Sequence, residues 1–276
     1  MARKQNKGHT NTGQRAQVSR RTFLNTAAAG AGALAFASQV RAQKNFGSRV
    51  LGANERLVMG IIGSGGMGRH HMHRFKAAGV EWGGVCDVYS ENLKAGLEIA
   101  GPNAKGYKDY RELLDNKDIE AVLIASPEHW HHKHLIDAVA AGKDAYCEKP
   151  MCWSIQQGAE MIKAVRSSDR IVQIGMQRRS SPVIHEIKKN VFDAGVLGNV
   201  HIVRAEWYWN SGVNPNVEVK GDLDWERFCG PAGKQEYHPT KFRYWRYFWP
   251  FSGGNETDQG THLMDVVQWM MGVDQP

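Results

Sequence analysis

Three side chains in this sequence could handle the proton of a reacting hydroxyl: Lys149, Asp258 and His262. Asp258 and His262 stand four positions apart, so at a helix start they share one face and can hydrogen-bond the same hydroxyl or each other. Taking a hydride from a CH–OH carbon requires a base for the hydroxyl proton, and a histidine titrating near neutrality suits that work. Lys149, beside Pro150 in Glu148-Lys149-Pro150, can donate to the same oxygen and stabilise alkoxide character. Without that chemistry Asp258 would be a helix N-cap, His262 a buried structural histidine and Lys149 a surface lysine.

A hydride needs an acceptor, and the chain carries the means to hold one. Gly63-Ser64-Gly65-Gly66-Met67-Gly68 matches G-x-G-x-x-G and follows the apolar run 57–62, where a buried strand turns into a helix. Gly63 allows the tight turn, Gly65 lets the backbone approach a pyrophosphate, and Gly68 lets the helix pack closely with its positive end toward the phosphates. Alone, the pattern also fits a glycine-rich turn of an unrelated α/β protein. Asp87, 24 residues beyond Gly63 at the end of the next apolar run, stands where a carboxylate accepts from an adenosine ribose. Val88, Tyr89 and Ser90 follow it with no arginine for a 2′-phosphate, so NAD is expected over NADP, although Lys94 softens that preference.

The elements that must position these groups alternate. Apolar runs at 57–62, 80–87, 121–126, 144–147 and 171–175 are separated by amphipathic stretches, which predicts a βαβ series and a doubly wound parallel sheet over 55–175. Residues 43–54 read as a linker. Past Gly175 the pattern predicts an α+β substrate domain over 176–276: a helix over 182–194, strand character over 200–207 and a helix over 261–271. Few strands remain there for a sheet, so C-terminal truncation is expected. Trp207, Trp209, Trp225, Trp245 and Trp249 pack a core or line a sugar cleft. Arg178, Arg179, Arg243 and Arg246 either hold a substrate or are solvated; Arg179, Trp245 and Arg246 are the substrate candidates.

Residues 1–42 read as an address. Arg3, Lys4, Lys7, Arg15, Arg20, Arg21 and Arg41 occur there with no Asp or Glu, followed by a small-residue apolar stretch over 22–37. Ser19-Arg20-Arg21-Thr22-Phe23-Leu24 resembles the twin-arginine signal, and Ala35-Phe36-Ala37 suits a signal peptidase. The stretch is too short and too alanine-rich for a stable membrane span. These seven basic residues equal the whole chain's formal charge of +7, so the remainder is neutral and offers no basic excess for nucleic acid. Export of a folded protein to the periplasm implies a nucleotide loaded in the cytoplasm and carried inside, with the twin-arginine machinery as partner. Cys86, Cys147, Cys152 and Cys229 lack C-x-x-C pairing and read as free, buried thiols. His70, His71 and His73, and His129, His131, His132 and His134, match no metal-site spacing, so no metal is expected.

In this order, the glycine turn, Ser126-Pro127, His131, Glu148-Lys149-Pro150 and Asp258-Gln259-Gly260-Thr261-His262-Leu263-Met264-Asp265 resemble the Gfo/Idh/MocA family over 55–276. The resemblance implies a Rossmann domain, then a domain whose open sheet carries the substrate and mediates homo-oligomerisation in a full-length chain. It implies Ser126, Pro127, His131, Glu148, Lys149 and Gln177 beside the cofactor, with the glycine turn and Asp87, and a cis Lys149-Pro150 bond. The expected activity is NAD(P)-dependent oxidation or reduction of a sugar, polyol or glycoside hydroxyl. The alternatives are a glycoside hydrolase or lyase using a transient oxidation, and a nucleotide-loaded sugar-binding protein without turnover.

Overall fold

The structure, a computed structural model, describes residues 57–208 and 212–274. Six parallel strands form one sheet: β1 (Val58–Ile62), β2 (Glu81–Cys86), β3 (Lys105–Tyr107), β4 (Ala121–Ile124), β5 (Asp144–Glu148) and β6 (Val172–Gly175), in the order β3-β2-β1-β4-β5-β6. Parallel strands need crossovers, and five helices supply them: α1 (Gly66–Ala77), α2 (Ser90–Ala100), α3 (Tyr110–Asp115), α4 (Glu128–Ala140) and α5 (Ile155–Arg166). Covered on both faces, the central strands are apolar throughout. Side-chain alternation then divides the core: Ile62, Val122 and Ile124 join Leu113, Leu135 and Met161 on one face, while Met59, Ile61 and Leu123 join Met72 and Trp82 on the other.

The chain leaves β1 toward β2 on one side and, later, toward β4 on the other. The crevice at the carboxyl ends of β1 and β4 is therefore the topological switch point, where an open α/β sheet takes its ligand.

Beyond β6 the texture changes. A 3-10 turn (Gln177–Ser180) leads to α6 (Pro182–Ile187), which loosens into a π turn (Lys188–Phe192) within the stretch expected to be helical. The strand expected over 200–207 does not form: residues 200–208 run without helix or ladder, with Ile202 and Tyr208 exposed. Apolar β-formers make a strand only beside a partner ladder, and the described residues offer none there. The remaining elements are α7 (Trp225–Cys229), α8 (Pro239–Arg243) and α9 (Thr261–Met271), the last preceded by a π turn (Glu256–Gly260) and closed by Gly272 in the left-handed region (φ 65°). Among the described residues after 175, strand pairing is confined to one antiparallel bridge, Leu223 to Tyr89.

Candidate functional site

At the switch point the glycines divide into two kinds. Gly63 has φ 92°, and a Cβ on Gly68 would stand 2.2 Å from the Gly63 carbonyl oxygen, so these two shape the turn and the helix contact. A Cβ on Gly66 would meet nothing within 4 Å, and one on Gly65 only Asn92 Nδ2 at 3.9 Å. The space over Gly65 and Gly66 is open cradle at the start of α1, suited to a pyrophosphate. Ser64 is buried; its N–H donates to Asp87 Oδ2 (2.8 Å) and its hydroxyl to the Asn92 carbonyl (2.9 Å). The Tyr89 N–H holds Asp87 Oδ1 at 2.9 Å. Burial pushes the Asp87 carboxyl up to about 6, against the pull of these donors.

The cradle opens into a groove of about 450 Å³. One side is Gly63, Gly65, Gly66, Met67, Asp87 and Ser126-Pro127; the other comes from the second half of the chain, through Arg227, Phe228, Phe242, Arg243, Trp245 and Arg246. That second side is strapped on beside Asp87. The Ser90 N–H donates to the Asp222 carbonyl (2.8 Å), Asp224 N–H to the Val88 carbonyl (2.9 Å), and Tyr89 OH to the Lys220 carbonyl. Arg243 donates to Tyr89 Oη (3.1 Å) and lies over its ring. Beneath the strap Tyr89, Phe228, Cys229, Phe242 and Phe251 form their own apolar cluster. Trp130 donates from Nε1 to the Phe228 carbonyl (2.9 Å), fastening the strap to α4 as well.

The chemistry-bearing cluster of Lys149, Asp258 and His262 does not itself line the groove; it is joined to it through Arg246. The Lys149-Pro150 bond is cis. Lys149 Nζ donates to the Asp258 carbonyl (2.8 Å) and to its carboxylate, and both side chains are buried. The other Asp258 oxygen accepts from Arg246 Nε (3.1 Å) and Gln259 Nε2 (3.1 Å). Arg246 also stacks on Trp245 at 4.2 Å and lines the groove, so it joins cofactor space to cluster. His262 is buried with Nδ1 lacking a partner; burial, then Lys149 and Arg178, hold its ring below the ordinary histidine range, so it is neutral near pH 7. No hydrogen bond joins His262 to Asp258. Their four-residue spacing spans a π turn and a helix start, and Asp258 faces Lys149 and Arg246 instead.

Other residues singled out by sequence fall elsewhere. Glu148 pairs with His71 (2.6 Å) on α1 and does not line the groove. His131 is buried behind it, both ring nitrogens engaged by carbonyls. Gln177 is exposed in its 3-10 turn, away from the groove. Arg179 pairs with Asp265 (2.8 Å) on α9, also outside it. Trp249 is exposed, Trp225 stacks on Phe228 at 5.2 Å, and Trp209 lies outside the described residues. The three cysteines Cys86, Cys147 and Cys229 are buried and all four thiols are free. Sequence reasoning passed over Tyr110, Trp130 and Arg227 and weighed His134 only as a metal ligand, yet all four line the groove; it also passed over Glu128, buried with one oxygen on Thr257 Oγ1 (2.9 Å). A clue existed for Glu128 to His134: so many polar side chains at the start of a helix that opens from the switch point.

Known proteins share this fold. The description "Oxidoreductase family, NAD-binding Rossmann fold" matches residues 57–176, and "Oxidoreductase family, C-terminal alpha/beta domain" matches 183–276, both of the Gfo/Idh/MocA oxidoreductases. Inositol 2-dehydrogenase of Salmonella paratyphi B is 33% identical over 166 residues, covering 59% of this chain and 49% of that protein. Inositol 2-dehydrogenase/D-chiro-inositol 3-dehydrogenase of Lacticaseibacillus casei is 32% identical over 162 residues, 58% and 45% of the two chains. The chain thus spans about half the length of the curated relatives it matches. Among solved structures, an NAD binding oxidoreductase from Klebsiella pneumoniae superposes with TM-score 0.57 at 25% identity over 79% of this chain and 54% of that one. The WlbA dehydrogenase of Bordetella pertussis, in complex with NADH and UDP-GlcNAcA, shares the fold with TM-score 0.61 at 21% identity over 79% and 56%.

Proposed function

This chain belongs to the Gfo/Idh/MocA oxidoreductase family with its NAD-binding Rossmann domain, and we propose that it carries an exported enzyme. In this reading the enzyme moves a hydride between a retained NAD and a CH–OH carbon of a cyclic polyol or sugar. One observation carries the reading: Arg246 lines the groove and holds the carboxylate that holds Lys149, so the proton-handling cluster is one side chain removed from the groove. The cradle at Gly65 and Gly66 takes the pyrophosphate and Asp87 the adenosine ribose. The open space above those glycines supports that fit. Bound there, NAD supplies hydride acceptance.

The chain's own residues supply the rest. His262, neutral, accepts the hydroxyl proton as its carbon gives up the hydride. Lys149, fixed by Asp258, donates toward the same oxygen and stabilises its developing charge in a water-poor site. Asp258 keeps the lysine aimed, and shares Arg246 with the groove. The relatives named as inositol dehydrogenases support a polyol or sugar, and the strap over the groove supports retention of the nucleotide. The twin-arginine-like leader, outside the described residues, carries the proposal of export. The test is direct: denature the purified protein and identify its nucleotide, then add inositols, sugars and glycosides to the native form. Reduction of bound NAD by one of them is expected; a protein that neither contains nor binds a nicotinamide dinucleotide refutes the reading. Glycoside cleavage with no net change in nicotinamide absorbance would replace it with redox-neutral cleavage.

A further inference from the structure

His131 has a hydrogen-bonding problem with one good solution. Its Nδ1 lies 2.7 Å from the Pro150 carbonyl oxygen and its Nε2 lies 2.8 Å from the Ser126 carbonyl oxygen. Both partners only accept. A neutral imidazole has one N–H, so its other nitrogen would point a lone pair at a carbonyl oxygen at contact distance; an imidazolium donates to both. The residue is 1% exposed, so no water relieves either contact by rotation of the ring into solvent.

The surroundings on balance hold the ring below the ordinary histidine range, burial above all, so the charged state must come from its hydrogen bonds. Burial and the Lys149 ammonium push the ring toward its neutral form, while the two carbonyls and the Glu148 carboxylate favour its charge. His129 and His134, also buried on α4, are held low by burial and are neutral, so neither competes for the proton near pH 7. Geometry decides, because a buried charge is tolerable where each of its donors is matched, and an unmatched lone pair facing a carbonyl is not.

The two carbonyls belong to the two turns that matter. Ser126 follows β4 and lines the groove; Pro150 follows Lys149. We propose that His131 is a positioning residue carried as an imidazolium, fastening the Ser126-Pro127 side of the groove to the Lys149-Pro150 turn so that cofactor space and catalytic lysine keep one register. It touches neither nucleotide nor substrate. The kinetic part of this inference rests on the oxidoreductase reading; the protonation part does not.

Ring nitrogen-15 spectra of the folded, nucleotide-loaded protein test it first, with the His131 signals assigned by their loss in His131→Gln. Two protonated ring nitrogens at neutral pH, unchanged through the range in which ordinary histidines titrate, are expected; a protonated and a bare nitrogen overturn the proposal. In turnover, His131→Gln is expected to lose about 100-fold in kcat with KM and nucleotide content within about twofold, since misplacement of a catalytic group by an ångström costs that much. Unchanged kcat, or activity lost only in proportion to lost nucleotide, would overturn the positioning role. Should the wild-type protein oxidise no hydroxyl at all, the oxidoreductase reading fails while the spectra still decide the charge of His131.

Discussion

Lys149 and Asp258, 109 positions apart in the chain, form a buried ion pair in which the lysine ammonium reaches both the carboxylate and the backbone carbonyl of the same aspartate. The first partner directly follows β5 and the second lies in the middle of the π turn before α9, so the pair exists only when both halves are folded together. Removing one member of such a pair leaves the other charge buried.

Lys149→Ala should therefore keep its nucleotide, whose cradle lies at Gly65 and Gly66, but lose turnover by about 10³-fold or more, the scale of one lost preorganised donor plus a misplaced neighbour. Single-turnover reduction of bound NAD is the measurement. A rate near that of wild type would remove the lysine from the mechanism.

The Rossmann half was legible because periodicity and glycine spacing are local: the apolar runs became strands and Thr261–Met271 became a helix. Much of the site was not. The strap runs through Leu223, Phe228 and Arg243, contacts that join Tyr89 to residues more than 130 positions away and leave no periodic trace. Nor could residue spacing show that the Asp258 carboxylate turns to Arg246 and Lys149 and leaves His262 unbonded, since a π turn intervenes where regular helix was assumed. At 200–207 the β-forming composition was real, but a strand is a property of two segments.

His262 sets an acid limit. Its folded-state pKa lies below the ordinary 6.5, and the base must be neutral to take a proton, so kcat/KM should be level above pH 6.5 and fall only as pH drops below it. His262→Asn should lower the rate by about 10²–10⁴-fold and erase that acid limb. An unchanged limb in the variant would assign it to another group.

Asp87 gives two opposite pH effects. Its folded pKa of about 6 lies above the unfolded 3.8, so the folded, nucleotide-free protein holds a proton that the unfolded chain releases, and this stabilisation, full below 3.8, is lost as pH rises through 6. Comparison with Asp87→Asn should isolate a change on the order of 3 kcal/mol across that window in denaturant titrations. Nucleotide affinity should move the other way, weakening as pH falls below about 6, because the ribose hydroxyls need the ionised acceptor. The asparagine variant should bind weakly at every pH.

Gly66 and Gly68 separate binding from folding. A methyl on Gly66 enters open cradle, so Gly66→Ala should leave the thermal midpoint nearly unchanged while raising the dissociation constant for NAD about tenfold or more. A methyl on Gly68 collides with the Gly63 carbonyl at 2.2 Å, so Gly68→Ala must push α1 off β1 and should lower stability by about 1–3 kcal/mol before any ligand is added. Equal midpoints for the two variants would contradict that division.

The strap makes retention of the nucleotide a matter of a few contacts. Tyr89 OH donates to the Lys220 carbonyl and accepts from Arg243, while the Tyr89 ring stays in the apolar cluster with Phe228 and Phe242. Tyr89→Phe removes both hydrogen bonds and keeps the ring, so the core survives and only the fastening of the second groove side weakens. Two such bonds contribute about 1 kcal/mol each, so nucleotide release should speed up about 10- to 30-fold, and the empty protein, which has the same two bonds, should melt about 4–8 °C lower. Arg243→Ala should act in the same direction, and combining the two changes should add little, because both cut the same contact. Release can be followed by exchange of bound for isotope-labelled NAD. Wild-type release rates in both variants would mean that the strap lies against the groove without holding its contents, and retention would then need another cause, such as the cradle itself.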